Sequence, residues 1–223
     1  QAVHTSYSLA IVSGILMMLF GLFFSYQCLD AIGTPHDILN DATLYMQLYF
    51  LCMIPGAIYN IGAGILRAVG DSKRPLYYLI VCSIVNVVFD FIFVVIFHQG
   101  IAGAAIATVI AQFVCAILVT IQLMRTNEVY KLTLSKMKFH LPVLKKIIMI
   151  GAPAGIQSTM YSISNIVLQS HINAFGTQTI ASWSVYVKID ALFWMMIAAI
   201  GAAITTFSGQ NYGAHLHDRI KKG

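Results

Sequence analysis

Three ionisable side chains, Asp90, Lys188 and Asp190, stand well inside long apolar stretches of the chain. A charge at the centre of a bilayer-spanning helix costs roughly 3 kcal/mol or more, so such residues tend to line cavities and pathways. Asp90 has company. Asn86 lies four residues before it, on the same face of a helix. At a rise of about 1.5 Å per residue, Asp90 sits about 12 Å from the outer end of its helix. Thr108, on the next helix returning from that surface, lies roughly 10 Å deep by the same rise. Carboxylate, amide oxygen and hydroxyl are hard oxygen ligands that suit a proton or a hard cation, not a soft metal. Asn86 and Thr108 alone would read as an ordinary hydrogen-bonded contact between helices. The carboxylate changes that reading, because Asp90 must be protonated or paired in such a setting.

Lys188 and Asp190 are two residues apart and point about 200° apart on a helix. They do not pair with each other, so each needs another partner or water. Lys188 has the plain option of snorkelling to the outer surface. Other chemistry is missing. No phosphate-binding glycine-rich loop occurs; the stretch from Gly64 to Gly70-Asp71-Ser72-Lys73 has the wrong spacing. There is no His-Glu-x-x-His, and His215-x-His217-Asp218 reads as a solvated tail. Cys28, Cys52, Cys82 and Cys115 lack metal spacing and read as packed free thiols. No catalytic residue, metal site or cofactor is assigned.

The elements that must position these groups follow from composition. Hydrophobic residues make up 59% of the 223 and charged residues 9%, against about 25% charged in soluble domains. The apolar surplus must face lipid. A span needs about 20 mostly apolar residues, and six segments qualify: about 7–29, 43–66, 76–97, 101–123, 143–172 and 178–207. The fold class is therefore an all-α, polytopic membrane bundle. Gly33-Thr34-Pro35-His36-Asp37 carries a helix start, with Thr34 as cap and Pro35 as first helical residue. Gly70 to Pro75 is a polar turn restarting a helix at Pro75. His98-Gln99-Gly100 is a short turn between antiparallel neighbours. Pro55 predicts a kink in the second span. Gly103-Ala104-Ala105 and Gly151/Gly155 offer small faces for close helix contact.

The 13 basic residues test this layout. Arg67, Lys73 and Arg74 fall between spans two and three. Arg125, Lys131, Lys136, Lys138, Lys145 and Lys146 fall around the connection of spans four and five. Arg219, Lys221 and Lys222 follow span six. These twelve lie on one side, the thirteenth, Lys188, being inside span six, and the opposite loops hold Asp30, Asp37 and Asp41 instead. The positive-inside rule puts the basic side, and both ends of the chain, in the cytoplasm. The net charge of +5 is thus explained without nucleic acid. The linker 126–142 mixes lysines with apolar side chains and is expected along the cytoplasmic membrane surface. The chain divides into 1–125, the linker 126–142, and 143–223. It begins at Gln1 and stops in Lys221-Lys222-Gly223, and both ends are expected to be cuts within a longer protein.

Four stretches carry a family resemblance. Ala63-Gly64-Ile65-Leu66-Arg67-Ala68-Val69-Gly70-Asp71-Ser72-Lys73-Arg74-Pro75 resembles a cytoplasmic turn of the multidrug and toxic compound extrusion (MATE) transporters. Asn86-Val87-Val88-Phe89-Asp90-Phe91-Ile92-Phe93, Gly100-Ile101-Ala102-Gly103-Ala104-Ala105-Ile106-Ala107-Thr108 and Gly209-Gln210-Asn211-Tyr212-Gly213-Ala214 follow at the expected distances. The resemblance implies a twelve-helix, two-lobe transporter. This chain would supply helices three to six of the first lobe and the first two of the second, with the remainder of the same transporter chain as its partner. It implies an antiporter that exports organic, often cationic, compounds in exchange for H⁺ or Na⁺, in a multi-pass plasma membrane setting, bacterial and cytoplasmic-membrane by expectation. It implies a first-lobe cation site of Asp90, Asn86 and Thr108, with a tyrosine that best matches Tyr45. A substrate path between lobes would include Met46, Met160, Tyr161, Trp194 and Met195. Tyr161 stands near the place of a second-lobe glutamate, and Lys188 where an arginine is often found. Two other readings remain open: a lipid-linked precursor flippase of the same superfamily, which would carry a more basic cavity, and a membrane-embedded enzyme, which would need acids converging at one depth.

Overall fold

A computed structural model describes residues 1–31, 34, 36–173, 175 and 177–222. The chain forms two compact units, 1–144 and 145–223. Among the described residues all regular structure is helical.

The first unit is built from α1 (Ala2–Ala31), α2 (His36–Phe50), α3 (Met53–Ala68), α4 (Lys73–Asp90) with a π-helical extension (Phe91–Ile96), and α5 (Gly100–Arg125). Its packing inverts the soluble pattern. On α1 the buried stripe includes Tyr7, Ala10, Gly14, Gly21 and Ser25, while Leu16, Phe20, Phe23 and Phe24 are exposed. On α5 the stripe is Ala107, Ala111, Cys115, Val119 and Leu123, a strict four-residue spacing. Small side chains let backbones approach, and large apolar ones are left for lipid, because lipid tails provide no hydrophobic drive between helices. At Gly14 the approach is extreme: a Cβ would stand 2.8 Å from the Ile54 Cα.

Pro55 explains the break between α2 and α3. Its missing N–H would have bonded the carbonyl of Leu51, and the helix gives way there, at Leu51 and Cys52. Together α2 and α3 still have the length and apolarity of one span. Gly33 and Pro35 of the expected helix start lie outside the described residues, and α2 runs from His36. The turn into α4 uses Gly70 at φ 90°, a left-handed conformation suited to glycine. Asp71 accepts the Arg74 N–H at 3.2 Å and pairs with its guanidinium at 3.2 Å. The carboxylate of Asp71 therefore caps the helix, which starts at Lys73, two residues before Pro75.

The core joins α1, α3, α4, α5 and the linker: Tyr7, Tyr59, Leu66, Val119, Leu123 and Leu132 are all buried. Leu132 is the surprise. The linker was expected to lie on the membrane surface, yet Leu132 is 1% exposed and its N–H bonds the Leu123 carbonyl at 2.8 Å. One side of the linker is therefore docked on the protein.

The second unit contains α6 (Leu141–Asn173, which starts four residues before the division), α7 (Thr177–Gly213) and the short α8 (His217–Lys222). Five helical segments among the described residues are long and apolar enough to cross a membrane. The expected fifth span, α6, has the length at 33 residues. It falls short in apolarity because Lys145, Lys146, Gln157, Ser158, Thr159, Ser162 and Ser164 dilute it. Those hydroxyls mostly bond back to their own helix, as Ser158 does to the Ala154 carbonyl and Ser162 to the Ser158 carbonyl, each at 3.0 Å.

Candidate functional site

The antiparallel pair α4 and α5 is laced by polar rungs. From the basic end, the Tyr78 hydroxyl reaches the Gln122 amide oxygen at 3.5 Å and the Cys115 thiol reaches the Tyr78 carbonyl at 3.6 Å. The Cys82 thiol follows, 3.1 Å from the Ala111 carbonyl. One turn further, the Asn86 amide donates to the Thr108 hydroxyl at 3.4 Å, and that hydroxyl donates to the Ala104 carbonyl at 3.0 Å. One more turn brings Asp90. Its Oδ1 is buried without a hydrogen-bond partner, alone in that respect among the described residues. Burying an unpaired carboxylate oxygen is costly, and a bound proton or hard cation removes the cost.

The backbone changes at the same point. The α-helix ends at Asp90 and the wider π-turns begin at Phe91. The Phe97 N–H reaches back five residues to the Ile92 carbonyl at 2.9 Å. Wide turns of this kind occur often at functional sites. The connection is tight: His98 at φ 53° and Gly100 at φ 56° turn the chain into α5. Among the described residues no group of three His, Cys, Asp or Glu is gathered as for a metal ion; the carboxylate, amide and hydroxyl oxygens of Asp90, Asn86 and Thr108 are hard donors.

Tyr45 stands apart from this set. It stacks on Tyr49 with ring centroids 6.2 Å apart, and α2 packs against α1 and α5. It lines a cavity of about 360 Å³ with Asp41, His98 and Gln99. No hydrogen bond or ring contact joins it to Asp90, Asn86 or Thr108. A further cavity of about 310 Å³ lies where α1, the α2–α3 break and α5 meet, lined among others by Ser13, Tyr49, Cys52, Asn60 and Gln112. The sequence reading passed over Asn60 and Gln112, although an amide inside an apolar helix was the signal available.

In the second unit, a cavity of about 700 Å³ lies between α6 and α7. Tyr161, Trp194, Asp190 and Gln157 line it. Met160 and Met195 do not, and both are largely exposed. Met46 is partly buried on α2, in the first unit. Lys188 is exposed, and the Asp71–Arg74 contact is the ion pair found among the described residues, so Lys188 and Asp190 are unpaired with each other. His215, in the turn before α8, and His217, the first residue of α8, have ring centroids 6.4 Å apart. Cys28 is exposed and the other three cysteines are buried, all as free thiols.

The MatE family model matches residues 1–92 and 153–222. The chain is 28% identical over 206 residues to the "Probable multidrug resistance protein YpnP" of Bacillus subtilis, covering 90% of this chain and 44% of that protein. It is 26% identical over 227 residues to "Probable multidrug resistance protein YoeA" of the same organism, covering 99% of this chain and 49% of that one. Among solved structures, "Crystal structure of MATE in the bent conformation" matches with a TM-score of 0.89 at 26% identity, over 99% of this chain and 50% of that chain. The chain spans about half the length of the curated relatives it matches.

Proposed function

The chain belongs to the MatE family of membrane transporters, and on that premise we propose that it forms part of a secondary active antiporter exporting organic, often cationic, compounds in exchange for H⁺ or Na⁺. The observation that carries this reading is the buried, partnerless Oδ1 of Asp90, one turn beyond the Asn86–Thr108 bond and at the start of the π-turns. Protonation or cation binding neutralises Asp90. Two conformations that solvate the carboxylate differently are then biased by that event, because a ligand shifts an equilibrium by its differential affinity for the two states. Asn86 and Thr108 supply the neighbouring oxygens. Tyr45, expected in the same shell, lines a cavity with Asp41, His98 and Gln99 instead.

The relatives' names speak of multidrug resistance, and substrate export by this chain with its companion half rests on that likeness. Both ends face the cytoplasm in this reading, and the membrane is the bacterial cytoplasmic one. The flippase alternative calls for a basic cavity, and none of the three cavities described above is lined by Lys or Arg. The enzyme alternative calls for converging acids. The family is one of transporters.

The test uses the full-length transporter in inverted membrane vesicles. Uptake of a fluorescent organic cation is followed under a proton gradient, then a sodium gradient, for the unmodified protein and Asp90→Asn. Gradient-driven uptake that is lost in the variant is the expected result. Uptake that survives in Asp90→Asn moves coupling away from this site, and no uptake of any cation removes the antiport reading.

A further inference from the structure

We propose that residues 126–140 are a latch that binds anionic phospholipid headgroups at the basic end of the first unit. The inward side of this segment is fixed by the protein. Besides the Leu132–Leu123 bond, the Thr133 N–H donates to the His4 Nε2 at 3.1 Å, and the His140 N–H donates to the Thr5 hydroxyl at 3.2 Å. The Thr5 hydroxyl also lies 3.4 Å from the Lys138 carbonyl. Thr5 is fully buried in the process. The segment thereby ties the first turn of α1 to the last turn of α5, two helices long enough to span a membrane. It lies at their ends, where a lipid surface is within reach.

The outward side has the chemistry of that surface. Lys131, Lys136 and Lys138 are exposed, and none makes an ion pair among the described residues. Leu134, between the first two of these, and Phe139, just after the last, are exposed at 51% and 46%. Glu128 is the one acid in the segment. Apolar side chains that enter the headgroup boundary, interleaved with lysines that meet phosphate, are the composition of an interfacial anchor. Each lysine near an anionic surface contributes about 1 kcal/mol. Tyr130 packs against the core instead of facing out, which leaves Phe139 as the one exposed aromatic and makes a nucleic-acid strip the poorer fit. Undocking would break the bonds at Leu132, Thr133 and His140 together and scatter the three lysines, so an anionic surface that binds them as a set favours the docked state. This inference stands whether or not the antiport reading holds.

The test is amide hydrogen exchange at Leu132, Thr133 and His140 of the full-length protein in nanodiscs. Exchange there reads the local opening equilibrium. Discs of phosphatidylglycerol should slow it relative to phosphatidylcholine by about fivefold for each lysine engaged. The triple variant Lys131→Gln, Lys136→Gln, Lys138→Gln should lose the difference. In the unmodified protein, about 1 M salt, with a Debye length near 3 Å, should also remove most of it. Equal exchange in the two lipids overturns the proposal. So does a lipid difference that survives in the triple variant, and so does stronger protection by a single-stranded oligonucleotide in neutral discs than by phosphatidylglycerol.

Discussion

The α4–α5 pair and the α6–α7 pair are built from similar residues and use them differently. Between α4 and α5 the polar groups reach across, thiol to carbonyl and amide to hydroxyl. Along α6 the hydroxyls turn back onto their own helix. The glycines divide likewise: Gly103 on α5 is closed in by Phe93, while Gly151 and Gly155 on α6 have open space around them. The α4–α5 contact is marked by polar groups whose bonds leave the helix, beside small residues that let the neighbour come close.

Substitutions can break or sharpen this contrast. The largest effect belongs to Leu66, which has no exposed surface. Leu66→Ala should destabilise the protein by about 2–5 kcal/mol, whereas Ile166→Ala, at a position 70% exposed, should change stability by less than about 0.5 kcal/mol. Reversible unfolding of the two variants in mixed micelles measures the gap, and equal losses would show that α6 has close neighbours of its own. Next in size is Gly14→Ala. Its new Cβ would meet the Ile54 backbone at 2.8 Å, and backbone cannot swing away, so a loss of about 1–3 kcal/mol is expected. Gly155→Ala should be neutral in the same assay, and a comparable loss there would erase the distinction. The smallest effect is the Asn86–Thr108 coupling. A double-mutant cycle with Asn86→Ala and Thr108→Ala should return about 0.6 kcal/mol, the typical worth of an interhelical hydrogen bond in a membrane protein. A coupling near zero would mean that the 3.4 Å contact is proximity without a bond.

Much of this arrangement could be read before any coordinates. Hydropathy and the one-sided placement of lysine and arginine located the helices, since lipid and membrane potential act on composition directly. Helical phase put Asn86 and Asp90 on one face, and depth matched Asp90 with Thr108; the structure bonds Thr108 to Asn86 instead, one turn nearer the basic end, with the π-turns at Phe91–Ile96 altering the rise between Asp90 and the corner. Phase gave Tyr45 no such link. It reached the set through family likeness, and in the structure it lines a separate cavity. The docking of the linker was hidden as well. Leu132 sits in a stretch whose lysines suit a membrane surface, and composition cannot say which of the alternating apolar side chains turns inward. The span signal was weakest at α6, whose 33 residues have the length of a span while its hydroxyl-rich middle lowers its hydropathy. The π-turns after Asp90 have no side-chain signature in Phe91–Ile96 at all, because wide and ordinary turns accept the same apolar residues.

Those wide turns behave like a dislocation in a crystal row. Each holds one residue too many for the regular lattice of the α-helix, and a surplus residue cannot be annealed away in place. It can only be passed along, turn by turn, until it leaves at an end. At one end here is the strained corner of His98 and Gly100; at the other is Asp90. A defect that advances by one turn towards the basic end would pass beneath Asp90 and rotate its carboxylate relative to Thr108, without breaking more than a few hydrogen bonds at once. The helix thus carries, next to its single acid, a fault in its regular lattice.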